Sequence, residues 1–442
     1  MSGGVALTGR GYPLGLSPAT RRRQAPASLE SAWTFLIVRL LRNRSGVAGG
    51  GLDRLSGDGD QRGSCRACRG SVENGVVRIA FVAYHGSVHT RRWAAYYAAA
   101  GHDVHVVTCG GEPRGEGYEV HDLGAPPFGK VGYLVRLPAA RRAIAGLRPD
   151  VVHAHWATSY GLLALASGVR PLVVTAHGDD VLIAPGNPAL RLVVRRVLRA
   201  AQLVTVPSEQ MRDAVRELAG PGTSIDVFQY GVEADRLEAV AAAARAGRRH
   251  ATDTLELVSA RPLLRLYRFE VLLDALALLA SRGIAWHCTL FGDGPERSAL
   301  EAQTQRLAIA DRVDFRGHRQ PEEVEQALAR ADLFVSVAES DGASIALLEA
   351  LALGAVPVLS DIPANRAWVE DGVNGVLTAL VPAAVADAIE RAAALDSVEV
   401  RSVNTRLVAA HGDRDTNLAA LESRLREIAA PPAARVSAEP VA

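Results

Sequence analysis

The sequence predicts an α/β protein built on two doubly wound parallel sheets that face each other across a cleft. Three observations carry this expectation. Short apolar runs alternate with stretches of helical periodicity, the rhythm of parallel strands buried on both faces and covered by crossover helices. The rhythm halts at a polar, Ala/Arg-rich interval, 237–253, and then restarts. The 442 residues also suffice for two to four domains at about 100–200 residues each.

The elements follow in order. Arg78–Ala83 reads as the first strand, Tyr84–Thr90 as a loop, and a helix is expected from Arg91. Strands are then expected at Val104–Thr108, Asp150–His153, Leu172–Thr175, Leu203–Val206 and Ile225–Phe228. Beyond the polar interval they recur at Leu255–Ser259, Trp286–Phe291, Val313–Phe315, Leu333–Val337 and Val356–Leu359. This divides the chain into a first α/β domain at 77–236, a linker at 237–253, a second α/β domain at 254–410, a helical stretch at 411–430 and a disordered Ala/Pro-rich tail at 431–442. Residues 1–76 hold 11 Arg against 5 acids and keep no period. They read as a disordered N-terminal extension, or as sequence upstream of a mis-assigned start. Their one apolar run, Trp33–Val38, is too short to span a bilayer and lacks a signal-peptide cleavage site. Cys65 and Cys68 have no second ligand pair at usable spacing, so they read as chance rather than as a zinc site.

Composition narrows the function. The chain is 48% hydrophobic and 22% charged, with a net charge of +1. It is core-forming and lacks the basic excess of a nucleic-acid binder. Four cysteines are too few for a disulfide scaffold and suggest a reducing cytoplasm. Lys130 is the only lysine, so a phosphate-binding cation anywhere else must be arginine.

Ligands of doubly wound sheets bind beyond the carboxyl ends of the strands, so the chemistry is expected in the loops there. The loop after the first strand has one glycine, Gly86, in place of a dinucleotide fingerprint. That speaks against hydride transfer. Gly86 either lets backbone approach a phosphate or is a simple loop glycine. The loop after Leu333–Val337 is more telling. Gly342–Ser344 opens a helix through Leu353, and its free N–H groups would suit a diphosphate. Asp341 and Glu349 bracket the first two turns. They could hold sugar and ribose hydroxyls, or be a cap and a solvated residue. His153 and His155 share one face of a strand and read as core or cleft-lining residues. Asp179 and Asp180 are too thin for a metal site. Arg191, Arg195, Arg196 and Arg199 form one face of a helix at Ala189–Ala200, which is either solvated or turned to anionic lipid.

The segment Ser340–Ala350 resembles the acidic-x7-Glu motif of the retaining, nucleotide-sugar-dependent glycosyltransferases of family four (group 1). The resemblance extends in order through His89–Trp93, Gly101–Val104, Asp150–His155, Thr175–Asp180, Ser259–Arg261, Tyr267–Ala275, Phe291–Pro295, Asp311–Gly317, Pro357–Pro363 and Asp371–Gly375. It implies the GT-B architecture, two Rossmann-like domains, and a metal-independent hexosyltransferase using a UDP- or GDP-sugar as co-substrate, with no other cofactor. It implies that Glu349 grips the ribose, that Asp341 contacts the transferred sugar and that His177 sits near the reacting carbon. Gly342 and the Ser344 and Ile345 backbone would meet the diphosphate, and Arg261 would neutralise it. The family usually has a lysine where this chain has Tyr267, so Arg265 or Arg268 would substitute. Gly292 and Asp293 would wall the nucleotide, with the base near His318. The implied acceptor is a glycan, a lipid-linked molecule or a small molecule, handled in the cytoplasm with peripheral contact at the inner membrane face. Two other readings share the architecture: a UDP-sugar 2-epimerase-like enzyme and a non-catalytic nucleotide-sugar binder.

Overall fold

The structure, a computed structural model, describes residues 75–430 except 112–113, 128–131, 247–253 and 343. The extension expected at 1–76, with its apolar run and its Cys65/Cys68 pair, lies outside the described residues apart from its last two positions, and the tail at 431–442 lies wholly outside them.

The first lobe runs β1 (Arg78–Val82), α1 (Val88–Ala99), β2 (Asp103–Thr108), β3 (Glu119–Asp122), α2 (Tyr133–Leu147), β4 (Val151–His155), α3 (Ser159–Ser167), β5 (Leu172–Thr175), α4 (Pro188–Ala200), β6 (Leu203–Val206), α5 (Glu209–Ala219) and β7 (Ile225–Val227). Its sheet has the order β3-β2-β1-β4-β5-β6-β7, paired in parallel throughout. The second lobe runs α6 (Ala234–Ala246), β8 (Leu255–Ala260), α7 (Phe269–Ser281), β9 (Trp286–Phe291), α8 (Arg297–Arg306), β10 (Val313–Gly317), α9 (Pro321–Arg330), β11 (Leu333–Ser336), α10 (Ile345–Leu353), β12 (Val356–Ser360), α11 (Pro363–Arg366), β13 (Val376–Thr378), α12 (Pro382–Ala393), α13 (Ser397–Leu407) and α14 (Arg414–Ala429). Its strands are also parallel, in the order β10-β9-β8-β11-β12-β13.

The central strands form where apolar runs let both faces be buried: β4, β5, β6, β11 and β12 have no exposed position. Short polar strands escaped the sequence pattern. Edge strand β3 reads Glu-Val-His-Asp and has no buried residue, so no apolar run marks it. The interval expected as a linker at 237–253 begins inside α6. Leu237 and Ala241 of that helix are buried with Val258, Phe291 and Leu347 in the second core, while Asp235, Arg236 and Glu238 are exposed. The helical stretch expected at 411–430 does form, as α14, but it returns to the first lobe. Leu418, Leu421 and Leu425 pack there with Trp93 and Tyr97, and Glu422 Oε1 accepts from His102 Nε2 at 3.1 Å, the ring's Nδ1 being taken by the Val77 N–H.

In each sheet the strand order reverses once, between β1 and β4 and between β8 and β11. At such a reversal the following loops diverge to opposite faces and leave a crevice. The loop holding Arg261 follows β8, and the loop holding Asp341 follows β11.

Candidate active site

The second-lobe half of the site is built at that reversal. Arg261 leaves β8 with its N–H bonded to the Phe291 carbonyl at 3.1 Å. Its side chain is 9% exposed. A guanidinium taken that far out of water needs a counter-charge, and Asp341 supplies one: Nη2 of Arg261 pairs with Oδ2 of Asp341. Tyr267, where the resemblance leads one to expect a lysine, puts its ring 4.6 Å from the guanidinium carbon, a cation–π contact. Burial pulls the Arg261 pKa downward, with Tyr267 opposing. Arg261 Nε is buried and has no hydrogen-bond partner among the described residues. The two residues expected to divide diphosphate and sugar between them are thus joined to each other.

Gly292 makes this corner possible. Its φ is +113°, and a Cβ there would lie 2.3 Å from the Arg261 carbonyl oxygen. Only glycine lets the loop after β9 approach that closely. Its N–H is bonded to the Gly317 carbonyl at 2.9 Å.

Helix α10 begins beside Asp341. Ser344 caps it, its Oγ accepting from the Leu347 N–H at 3.1 Å, and Gly354 ends it at φ +93°. The Gly342 N–H is bonded to Asp341 Oδ1 at 2.9 Å. Ile345 packs against apolar residues of both lobes, so the amino end of the helix lies where the lobes meet. A Cβ on Gly342 would stand 3.4 Å from the His177 carbonyl oxygen and 3.5 Å from the Met211 sulfur of the first lobe. One turn further, Glu349 is half-buried. Its carboxyl is pushed up to about 7, first by burial and then by Glu325, against the pull of Arg92 and Arg236. Glu325 is itself held by Arg236 through bonds of 2.8 and 2.6 Å. Arg92 belongs to α1, so Glu349 feels charge from the opposite lobe.

The first-lobe half is aromatic and neutral. His177 follows β5 and stacks on Trp156 at 4.1 Å and on Tyr230 at 5.3 Å. His155 lies 5.1 Å away and His89 6.2 Å away. Burial lowers the His177 pKa to about 3, helped by His89 and His153, so its imidazole is neutral at physiological pH. Its Nε2 is buried with no partner among the described residues. Asp180 holds the loop in place: Oδ1 accepts from the His177 and Gly178 N–H groups at 3.0 Å each, and Oδ2 from the Ala157 N–H at 2.7 Å. Burial raises its carboxyl to about 6 despite those three bonds. His153 and His155 are core residues with no exposure, and His153 Nε2 lies 2.7 Å from Thr175 Oγ1.

Other expected residues stand further out. Arg268 is paired with Glu270 and, at 2.6 Å, with Glu339, whereas Arg265 is exposed with no ion pair among the described residues. Asp293 Oδ1 accepts from the Gly294 N–H at 2.8 Å. His318 and Gly86 are exposed, and the Gly86 carbonyl accepts from Arg91 at 3.0 Å. On α4, Arg191 lies 3.5 Å from Glu217, and Arg199 donates to the Ala219 carbonyl at 3.0 Å. The sequence reading weighed Asp180 only as a metal ligand and gave no role to Trp156, Tyr230, Arg92 or Met211. Only Asp180 carried a signal, a second acid after the glycine of a strand-end loop.

The comparisons with known proteins bear on the family and the fold. Residues 86–236 match the profile of Glycosyltransferase Family 4, and residues 259–394 match that of Glycosyl transferases group 1. A GDP-mannose:cellobiosyl-diphosphopolyprenol alpha-mannosyltransferase of Xanthomonas oryzae pv. oryzae is 27% identical over 65% of this chain and 73% of its own length. An N-acetyl-alpha-D-glucosaminyl L-malate synthase of Bacillus anthracis is 25% identical over 52% of this chain and 61% of its own, and a glycogen synthase of Mycobacterium tuberculosis 30% identical over 52% and 56%. The chain thus spans between about half and three quarters of the length of these relatives. Among solved structures, a sucrose-phosphate synthase of Thermosynechococcus elongatus superposes with a TM-score of 0.69 at 19% identity, covering 79% of this chain and 98% of its own. HepE of Anabaena, in complex with UDP and glucose, gives 0.63 at 20%, covering 79% and 99%. The chain belongs to the family-four, group 1 glycosyltransferases of the GT-B fold.

Proposed function

We propose that this protein transfers a hexose from a UDP- or GDP-sugar to a hydroxyl of a glycan, a lipid-linked or a small-molecule acceptor, with retention of anomeric configuration and without a metal ion. One observation carries the reading: the buried Arg261–Asp341 pair lies at the amino end of α10, where that helix meets the His177 loop of the other lobe. A diphosphate entering there would meet a guanidinium and the positive end of a helix dipole. The bond from the sugar's C1 to the phosphate oxygen breaks, and a bond from C1 to the acceptor oxygen forms on the same face. The acceptor's proton passes to the departing phosphate. Arg261 and the helix end stabilise charge on the leaving group, as preorganised electrostatics. Asp341 then turns to the sugar, the neutral His177 offers Nε2 to a sugar hydroxyl, and Glu349 receives the ribose. Gly292 and Asp293 line the nucleotide and His318 lies near the base, with Arg265 rather than the doubly paired Arg268 as the second phosphate cation.

The Xanthomonas and Anabaena relatives support this reading through a GDP-mannose donor, a diphosphopolyprenol-linked acceptor and bound UDP. No described helix is long and apolar enough to cross a membrane. We propose a cytoplasmic protein whose Arg195 and Arg196 touch the anionic inner leaflet, as the diphosphopolyprenol-linked acceptor of the Xanthomonas relative suggests. Co-sedimentation with anionic vesicles at low salt checks this, and absence of binding refutes it. Incubation with radiolabelled UDP- and GDP-sugars in excess chelator tests the chemistry. Glycoside of unchanged anomeric configuration is expected. Free epimer would point to the epimerase reading, and donor binding without turnover to a non-catalytic binder.

A further inference from the structure

Away from the cleft, the first lobe carries a cluster that sugar transfer does not use. β2 and β3 pair with His105 opposite Glu119 and Val107 opposite His121. Glu119 and His121 are two residues apart on one strand, so both project from the same face of it. Nδ1 of His105 lies 3.1 Å from Nε2 of His121 and 3.3 Å from Oε2 of Glu119, and the last two atoms are 3.7 Å apart. A triangle with those edges has its centre about 2.0 Å from every corner. Zinc–imidazole and zinc–carboxylate bonds are about 2.0–2.2 Å long.

The remote side of His105 is arranged as for a metal ligand. Nε2 lies 3.1 Å from Oδ1 of Asp103, whose Oδ2 is held by Arg78 Nε at 2.5 Å. A carboxylate on one imidazole nitrogen places the hydrogen there and leaves the other nitrogen's lone pair for a ligand. His105 is buried, whereas the Glu119 side chain is 71% exposed, so the cluster opens to solvent on one side.

We propose that His105, His121 and Glu119 bind one divalent transition ion of the zinc class, with water as the fourth ligand and Asp103 orienting His105. Two imidazoles and one carboxylate favour such an ion over calcium or magnesium, which take oxygen ligands. The ion staples the four-residue edge strand β3 to β2. Its protein ligands all come from the edge pair β2–β3, and none of them belongs to the proposed donor site.

The test uses the full chain, free of any affinity tag and stripped with chelator, titrated with Co2+ and followed by its visible d–d bands. One equivalent is expected to bind and to be displaced by Zn2+. Glu119→Ala and His121→Ala should each weaken Co2+ binding at least tenfold, and Asp103→Asn about tenfold, the usual loss when an outer partner is removed. Glu119 is exposed enough for its removal to leave the fold intact. Zn2+ should raise the melting temperature of the wild type and of Glu349→Gln, but not of His121→Ala. The proposal is overturned if no stoichiometric Co2+ is taken up, or if uptake is unchanged in Glu119→Ala and His121→Ala. It is equally overturned if uptake vanishes on replacing Cys65 and Cys68 with serine.

Discussion

The two walls of the cleft solve opposite electrostatic problems. The second-lobe wall is charged: Arg261 against Asp341, Arg268 against Glu339, and Glu349 under the influence of Glu325, Arg236 and Arg92. The first-lobe wall packs His89, His155, His177, Trp156 and Tyr230 ring against ring, and burial strips its histidines of charge. The contrast teaches a division of labour. On the proposed function, a leaving diphosphate would draw on the fixed charge of the second lobe. A sugar ring carrying developing positive charge would be better served by the neutral donors and apolar faces of the first lobe than by imidazolium ions.

Breaking the charged wall should have the largest effect. Arg261→Ala removes the guanidinium and leaves Asp341 without its partner. We expect kcat/KM for donor turnover to fall about 10²–10³-fold, the usual loss when one preorganised electrostatic group is deleted, with the far-ultraviolet circular dichroism unchanged. Arg261→Lys should recover only part of it, because lysine cannot both pair with Asp341 and lie flat over Tyr267.

Loosening the neutral wall comes next. Asp180→Ala leaves the buried N–H groups of Ala157, His177 and Gly178 without their acceptor. A loss of about 2–3 kcal/mol in stability is expected from urea melts, together with reduced turnover as the His177 loop loses its anchor.

Glu349 sharpens the comparison because it is a charged-wall residue under partial desolvation. Its carboxyl titrates at about 7, against an ordinary value of 4.5. Between those values the folded protein holds a proton that the unfolded chain has released. The stability due to this group is therefore full below about pH 4.5 and is lost as pH rises through about 7. Ribose hydroxyls donate to a carboxylate better than to its acid form, so donor affinity should fall as pH drops through about 7. Glu349→Gln should weaken donor binding about tenfold at pH 8, the worth of one or two hydrogen bonds to a charged group. It should also flatten both pH profiles relative to the wild type, as read by titration calorimetry and by melts from pH 5 to 8.

The smallest effect is expected from Arg268→Ala. Its guanidinium is spent on Glu270 and Glu339. Exposed pairs of this kind contribute about 0–1 kcal/mol, so donor affinity should change less than threefold in a parallel titration. A tenfold loss would make Arg268 rather than Arg265 the second phosphate cation.

The charged wall was far more legible in the sequence than the neutral one. Local apolar runs marked the buried strands, because a strand covered on both faces has no polar alternation to hide it. The loops after β8 and β11 could then be located; Asp341 and Glu349 stood out by their spacing around the helix start, whereas Arg261 came only from the family resemblance. That Arg261 pairs with Asp341 was not legible, since the two loops become neighbours only through the strand order. Tyr267 looked like a missing lysine; in the fold its ring supports the arginine. Trp156, Tyr230 and His89 come from three separate segments, so their stack around His177 has no local pattern. Strand β3 and helix α6 were missed for a plainer reason: the first has no buried side chain, and the second turns Asp235, Arg236 and Glu238 outward.

Titration calorimetry of wild type and Arg261→Ala with UDP and GDP, set beside uridine and guanosine, bears most directly on the diphosphate site at the amino end of α10. If Arg261 and that helix end receive the pyrophosphate, the variant should lose at least tenfold in affinity for the diphosphate it binds. Its weak affinity for the matching nucleoside should stay within about twofold. Equal losses for nucleoside and diphosphate, or no loss for either, would contradict it.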